Sequence, residues 1–318
     1  MKKILSILFF VLPILVFGQK KKSYEDLILF EKTVAIHELI DEELNDAIFL
    51  KDTTNISTEE KIKSDFAKEI KEMILYKVVE NYEELIETFP KSKLIFRALN
   101  NKGFAELQLE DFDDAKSTFL MLLNSKADDS EKGGIGSGLM GEPYANYKNR
   151  AAKILADIEL RDKNYSQALK YLDETKKYPY RHFCGNEYAA DEIHMAVQYS
   201  KCYLGMNQDE KAFDLLLPNI FGNGLASNSQ LIEVAYNALM QKYKKEDLKA
   251  QFEKSFENVI IEKETKNKNE DTYYYVKFLN RKIQLDSWSL HDMLTEQERE
   301  KAISEILTNS EFYKLLST

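Results

Sequence analysis

Three times between Leu99 and Leu217 the sequence writes one instruction: an amphipathic helix, a polar turn of two to four residues, then a second amphipathic helix. In the first case Leu99, Gly103 and Leu107 share one helical face, and Phe112, Ala115, Phe119 and Leu122 recur at three- and four-residue steps after a break at Glu110–Asp111. "AAKILADIELRDKNYSQALKYL" (Ala151 to Leu172) and "AVQYSKCYLGMNQDEKAFDLLL" (Ala196 to Leu217) repeat the design, each with a small residue where its two helices must cross. Short helices with one apolar stripe are stable only when packed on neighbours, so this spacing commits the chain to antiparallel helix pairs. Five prolines and eleven glycines in 318 residues agree with a mainly helical protein.

On these residues the chain resembles the tetratricopeptide repeat (TPR) family. Its helix-turn-helix unit has a small residue near the eighth position, an alanine twelve residues later and a large apolar residue four beyond. Gly103, Ala115 and Phe119 fill those places in the first unit, Ala156, Ala168 and Leu172 in the second, and Ser200, Ala212 and Leu216 in the third. The resemblance implies a TPR-like α-α superhelix, or solenoid. The spacing from Ala115 to Ala168 is 53 residues and from Ala168 to Ala212 is 44. Against a repeat of about 34, this leaves inserted loops at about 127–145 and 178–187. A degenerate earlier unit ends near Leu85 and Phe89, within an N-terminal helical region 19–95 that precedes the repeats at 96–258.

Beyond the repeats, helices are expected at Ser229–Tyr243 and Lys245–Asn258. From about Val259 to Leu285 the chain turns rich in β-branched and aromatic residues, which predicts a small β-hairpin or sheet. "TEQE", with Thr295 and Glu298, has the capping-box form and opens a helix in the C-terminal segment 259–318. At the other end, residues 1–18 have the parts of a cleaved signal peptide: Lys2 and Lys3, an apolar run from Ile4 to Phe17, and small residues at its close. A periplasmic or secreted protein is the expectation. No later segment is apolar enough to span a bilayer. The net charge of −10 disfavours nucleic acid as a partner, because that binding depends on neutralising phosphates.

The densest chemistry lies in "YRHFCGNEYAADEIHM", residues 180–195. His182 and Cys184, with Glu187, Asp191 and His194 at i, i+4 and i+7, are types that zinc or copper accepts. The spacing is none of the strong ligand pairs such as H-E-x-x-H or C-x-x-C, so no metal and no cofactor is assigned. An envelope enzyme or metal-binding protein built around His182–His194 is the alternative reading. Cys184 and Cys202 are the only cysteines, and export would permit a bridge between them. Gly136, Gly138 and Gly141 spell G-x-G-x-x-G, but no strand precedes them and Pro143 follows, against a dinucleotide site. No nucleophile elbow, P-loop or recognisable triad is present, and no catalytic residue is assigned.

What remains is the surface the family resemblance implies. TPR ligands usually lie against the first helices of the stacked units. Carried over by position, that surface includes Arg97, Asn100 and Phe104; Arg150, Lys153 and Asp157; and His194, Val197 and Lys201, with Arg161 one turn further along the second helix. Four of these nine, Arg161 apart, are basic in an acidic chain, so a locally basic concave face recruiting an acidic peptide or partner protein is expected. The lysine/asparagine/arginine carboxylate clamp of chaperone-binding members is not reproduced. On this reading the chain is a non-catalytic protein-protein interaction module.

Overall fold

A computed structural model describes residues 24–40, 57–132, 142–221, 226–266, 269–285, 290 and 295–318; the N-terminal segment 1–18 and Gly136, Gly138 and Gly141 lie outside these. The chain is mainly helical, with twelve α-helices and one three-stranded sheet among the described residues. It divides into two compact units, Met1–Ser125 and Lys126–Thr318.

The first unit contains α1 (Glu25–Leu39), α2 (Thr58–Thr88), α3 (Ile95–Gln108) and α4 (Phe112–Leu123). Helix α2 starts at a capping box: the Ser57 hydroxyl accepts from the Glu60 amide, and the Glu60 carboxylate accepts from the Ser57 amide. It ends just before Pro90, which cannot continue a helix. Phe30 of α1, Leu75, Val78, Tyr82 and Leu85 of α2, and Ala98 and Ala105 of α3 close one core. Helices α3 and α4 cross where Gly103 lies under the Phe119 ring. A Cβ at residue 103 would sit 2.7 Å from that ring, so only glycine lets the helices come this close.

The second unit begins with α5 (Tyr147–Arg161), α6 (Tyr165–Glu174), α7 (Gly185–Gly205) and α8 (Asp209–Leu216). Ala156, Ala168, Leu172 and Cys202 are fully buried together between them. Gly205 lies against Tyr165, where an added Cβ would come within 2.3 Å of the ring. The Ser200 hydroxyl donates to the Ala212 carbonyl at 3.3 Å, so its small polar group is satisfied inside the crossing.

The three hairpins α3–α4, α5–α6 and α7–α8 share one turn. Each has three linking residues, of which the middle one, Glu110, Lys163 or Asn207, is left-handed with φ of 60°, 60° and 58°. In each, the amide after it returns to a carbonyl five residues back: Asp111 to Glu106, Asn164 to Glu159, Gln208 to Tyr203. The left-handed residue's own amide bonds three residues back, to Leu107, Leu160 and Leu204. This is the Schellman ending, which satisfies the last carbonyls of the first helix and reverses the chain at once.

Helices α9 (Ser229–Met240) and α10 (Lys245–Ser255) follow, each three residues shorter than expected. The sheet is an antiparallel meander of β1 (Ile260–Lys266), β2 (Asn269–Phe278) and β3 (Arg281–Gln284). Its buried side, Tyr274, Val276, Phe278 and Ile283, joins the core of α7 to α10. Phe252 is the hub of that core, with the rings of Phe278 and Phe312 each at 5.1 Å and Phe256 at 5.4 Å. Helices α11 (Glu296–Asn309) and α12 (Glu311–Ser317) end the chain, α11 opening on the expected capping box of Thr295 and Glu298.

The block expected as an inserted loop at 178–187 is only partly one. Helix α7 already begins at Gly185, so much of the extra length between the second and third hairpins extends a helix of 21 residues. Two changes test the crossing and the turn. Gly103→Val is expected to lower stability by about 1–3 kcal/mol, as overpacking does. Lys163→Gly is expected to raise it by up to about 1 kcal/mol by relieving a left-handed lysine. Chemical denaturation of the two variants measures both.

Candidate functional site

The segment between α6 and α7 is fastened to α5 by buried amides. Asn146, itself left-handed at φ 48°, donates from Nδ2 to the Arg181 carbonyl and accepts at Oδ1 from the Arg181 amide, both at 3.0 Å. Asn149 Nδ2 donates to the Tyr178 carbonyl at 2.7 Å. The Asp129 carboxylate accepts from the Lys148 and Asn149 amides, satisfying first-turn donors that Asn146 does not cap.

Within that segment His182 is buried, stacked on Phe183 at 4.8 Å and on Tyr180 at 6.1 Å. Its Nδ1 accepts from the Cys184 amide at 3.0 Å, which places the proton of the neutral ring on Nε2. The Tyr188 hydroxyl donates to the His182 carbonyl at 2.5 Å and accepts from its amide at 2.9 Å. His182 therefore organises the lead-in to α7. Cys184 and Cys202 are unbridged thiols, and burial first, then Asp157, pushes the Cys202 thiol up to about 11. Among the described residues no three of His, Cys, Asp and Glu converge as a metal ion would need.

The fastening sets the face of α5 beside that of α7. From α5 come Arg150, Lys153 and Asp157 at i, i+3 and i+7; from α7 come Glu187, Asp191, His194 and Lys201 at i, i+4, i+7 and i+14. Arg150 pairs with Glu142, and Lys153 pairs with Asp191 across the two helices. The Lys153 ammonium also lies 4.7 Å from the centre of the Tyr180 ring. Burial, and then the acids Glu142, Glu187 and Asp191, hold the Tyr180 phenol well above its ordinary range.

On the same face are three groups of another kind. Asp157, His194 and Lys201 make no hydrogen bond or ion pair with any described residue, although His194 and Lys201 are half-buried. Asp157 stays open to solvent, yet surrounding protein pushes its carboxyl up to about 6 against the opposing pull of Lys201 and Lys153. Burial, with help from Lys153 and Lys201, holds the His194 imidazole below its usual value, and Asp191 opposes them. Crowding of this kind disfavours the charged form even where water reaches the group.

The ten positions named from sequence fall into two sets. Arg150, Lys153, Asp157, Arg161, His194, Val197 and Lys201 lie in the second unit; Val197 is fully buried and Arg161 pairs with Asp162 at its helix end. Arg97, Asn100 and Phe104 lie in the first unit. There Asn100 is buried and donates to Asn101, and Phe104 meets Phe119 edge-on at 5.7 Å. The face of α5 and α7 is mixed in sign, because Glu142, Glu187 and Asp191 interleave with its cations. Sequence reasoning missed Tyr180 and Glu142, and no spacing rule could have found them, since both come from connecting segments.

No family model, no curated protein and no solved structure matches this chain.

Asp157 and His194 carry a pH signature. Asp157 binds its proton more tightly folded than unfolded, so between about pH 4 and 6 the folded state holds more protons and stability falls as pH rises through that window. For His194 the sign is opposite: its folded pKa is depressed, so its contribution is present above the unfolded value and is lost as pH falls below it. Asp157→Asn is expected to be more stable than the parent at pH 7, with a gain of about 1 kcal/mol or less because the group is solvent-accessible. The gain should shrink towards zero by about pH 4. Denaturation midpoints at the two pH values check this.

Proposed function

We propose that this chain is an exported, non-catalytic interaction protein of tetratricopeptide-like build, which binds a peptide or partner protein along the face formed by α5 and α7. Three hairpins with the same turn, and with small residues at their crossings, support the repeat reading. The observation that carries the binding site is the trio Asp157, His194 and Lys201: ionisable groups crowded by protein, solvent-reachable, and without a direct partner among the described residues. Crowding by protein disfavours the charged form of Asp157 and of His194. A ligand that presents an N–H or cation to Asp157 and an oxygen to Lys201 supplies what is missing.

Arg150 and Lys153 already have carboxylate partners, so the contribution expected of them is position and exclusion of the wrong ligand rather than raw attraction. The ligand is accordingly one with donors and acceptors alternating along its length, as a peptide has, rather than a polyanion.

A photo-crosslinking side chain placed at residue 201 should trap a partner in the producing cell, whereas one at Lys170 on α6 should not. Lys201→Glu should then weaken binding of that partner about tenfold or more, the loss of one charge-assisted hydrogen bond. Trapping from residue 170 alone, or an unchanged affinity, would remove the reading.

A further inference from the structure

Helix α2 has two apolar faces, and the first unit uses one. Ser64, Ala67, Leu75, Val78, Tyr82 and Leu85 turn inward and are buried. On the opposite side Ile62, Phe66, Met73 and Tyr76 are 64%, 63%, 66% and 59% exposed. An ordinary surface helix is polar there. Four large side chains so exposed form an apolar strip of several hundred Å², the size at which a patch on a soluble protein usually has a partner.

The strip has an internal order. Its members are spaced by four, seven and three residues, which is the a/d seam of a heptad interrupted once, at Glu69. Lys63 and Lys77 line one flank, and Asp65 and Glu72 line the other.

That charge arrangement selects the occupant. A lipid surface fits poorly: helices that lie on membranes carry a cationic polar face, whereas here acids match the lysines within a chain of net charge −10. A second α2 laid antiparallel would set Lys63 against Lys77 and Asp65 against Glu72, like against like on both flanks. Laid parallel, Glu72 of each copy meets Lys77 of the other, and the apolar residues face their equivalents. Lys77 now bonds Glu80 at 3.0 Å with both groups well exposed. Such a pair is worth less than about 1 kcal/mol, so exchange to the partner costs little.

We infer that two copies of this chain associate in parallel through the outer face of α2, with Ile62, Phe66, Met73 and Tyr76 as the seam. The two Glu69 carboxylates then stand across the two-fold axis. Their repulsion keeps the dimer weak and opposes a longer or slipped seam, the role a polar residue has at one core position of a coiled coil.

Sedimentation equilibrium of the full chain tests it. The wild type should pass from monomer to dimer as concentration rises through the micromolar range. Phe66→Glu, on an exposed position that leaves the circular dichroism unchanged, should be monomeric throughout. Glu69→Leu should tighten the dimer tenfold or more. Glu72→Lys should weaken it, and adding Lys77→Glu should restore it, since those charges meet only in the parallel arrangement. A wild type that stays monomeric to about 100 μM, about 5–6 kcal/mol of association, would overturn the inference. A dimer indifferent to Phe66→Glu, or a charge swap that does not restore, would overturn it too. Sedimentation of monomeric wild type with vesicles of mixed zwitterionic and anionic lipid, lost in Phe66→Glu, would assign the face to a membrane instead.

Discussion

Everything in this fold depends on how closely paired helices are allowed to approach. In the first unit that distance is set by Gly103, on which the Phe119 ring rests; in the second it is set by Gly205 under Tyr165, and by Ser200 and Ala212 at the next crossing. A side chain at Gly103 would separate the two helices of one hairpin, and one at Gly205 would separate α6 from α7 of the next hairpin. The turns belong to the same constraint. A three-residue Schellman reversal leaves no slack, so two helices joined by it must lie against each other along their whole length.

Close pairing within hairpins leaves the first helices α5 and α7 to define a surface. That surface is held by buried amides as well as by the apolar cluster of Ala156, Ala168, Leu172 and Cys202. Asn146 and Asn149 clamp the chain before α7, and Asp129 closes the start of α5. Amide-to-backbone bonds are directional and costly to leave unmade, so they fix the register of α7 against α5 more sharply than a hydrophobic contact would. The result is a face on which Lys153 and Asp191, 38 residues apart, find each other, while Asp157, His194 and Lys201 make no hydrogen bond or ion pair among the described residues. Mixed charge of this kind favours selectivity over attraction.

Much of this was legible in the sequence, and the reasons are particular. Gly103, Ala115 and Phe119 announced their crossing because only small residues tolerate it, and the structure puts them there. Thr295 and Glu298 announced a helix start because a capping box is local chemistry. The sheet at the expected place was visible from its β-branched and aromatic run, though its core proved continuous with α7 to α10, which periodicity cannot reveal. The start of α7 at Gly185 was obscured because His182, Cys184 and Glu187 read as a polar loop; the tertiary bonds of Tyr188 and Asn146 decide where the helix begins. The two-sided character of α2 escaped notice for a simple reason. Two apolar stripes on opposite faces cancel in any search for one stripe. The charge of the α5 and α7 face was half legible: its cations follow from the positions the resemblance implies, but the acids between them arrive from a connecting segment and from the first two turns of α7.

The proposed binding face of α5 and α7 depends on protein crowding around Asp157. The titration midpoint of the Asp157 side-chain carboxyl, followed by carbon-13 NMR in the ligand-free protein, tests it most directly. Crowding of this kind predicts a midpoint near 6. A midpoint at the ordinary aspartate value of about 4 would mean that Asp157 stands on an open surface, and would contradict the account.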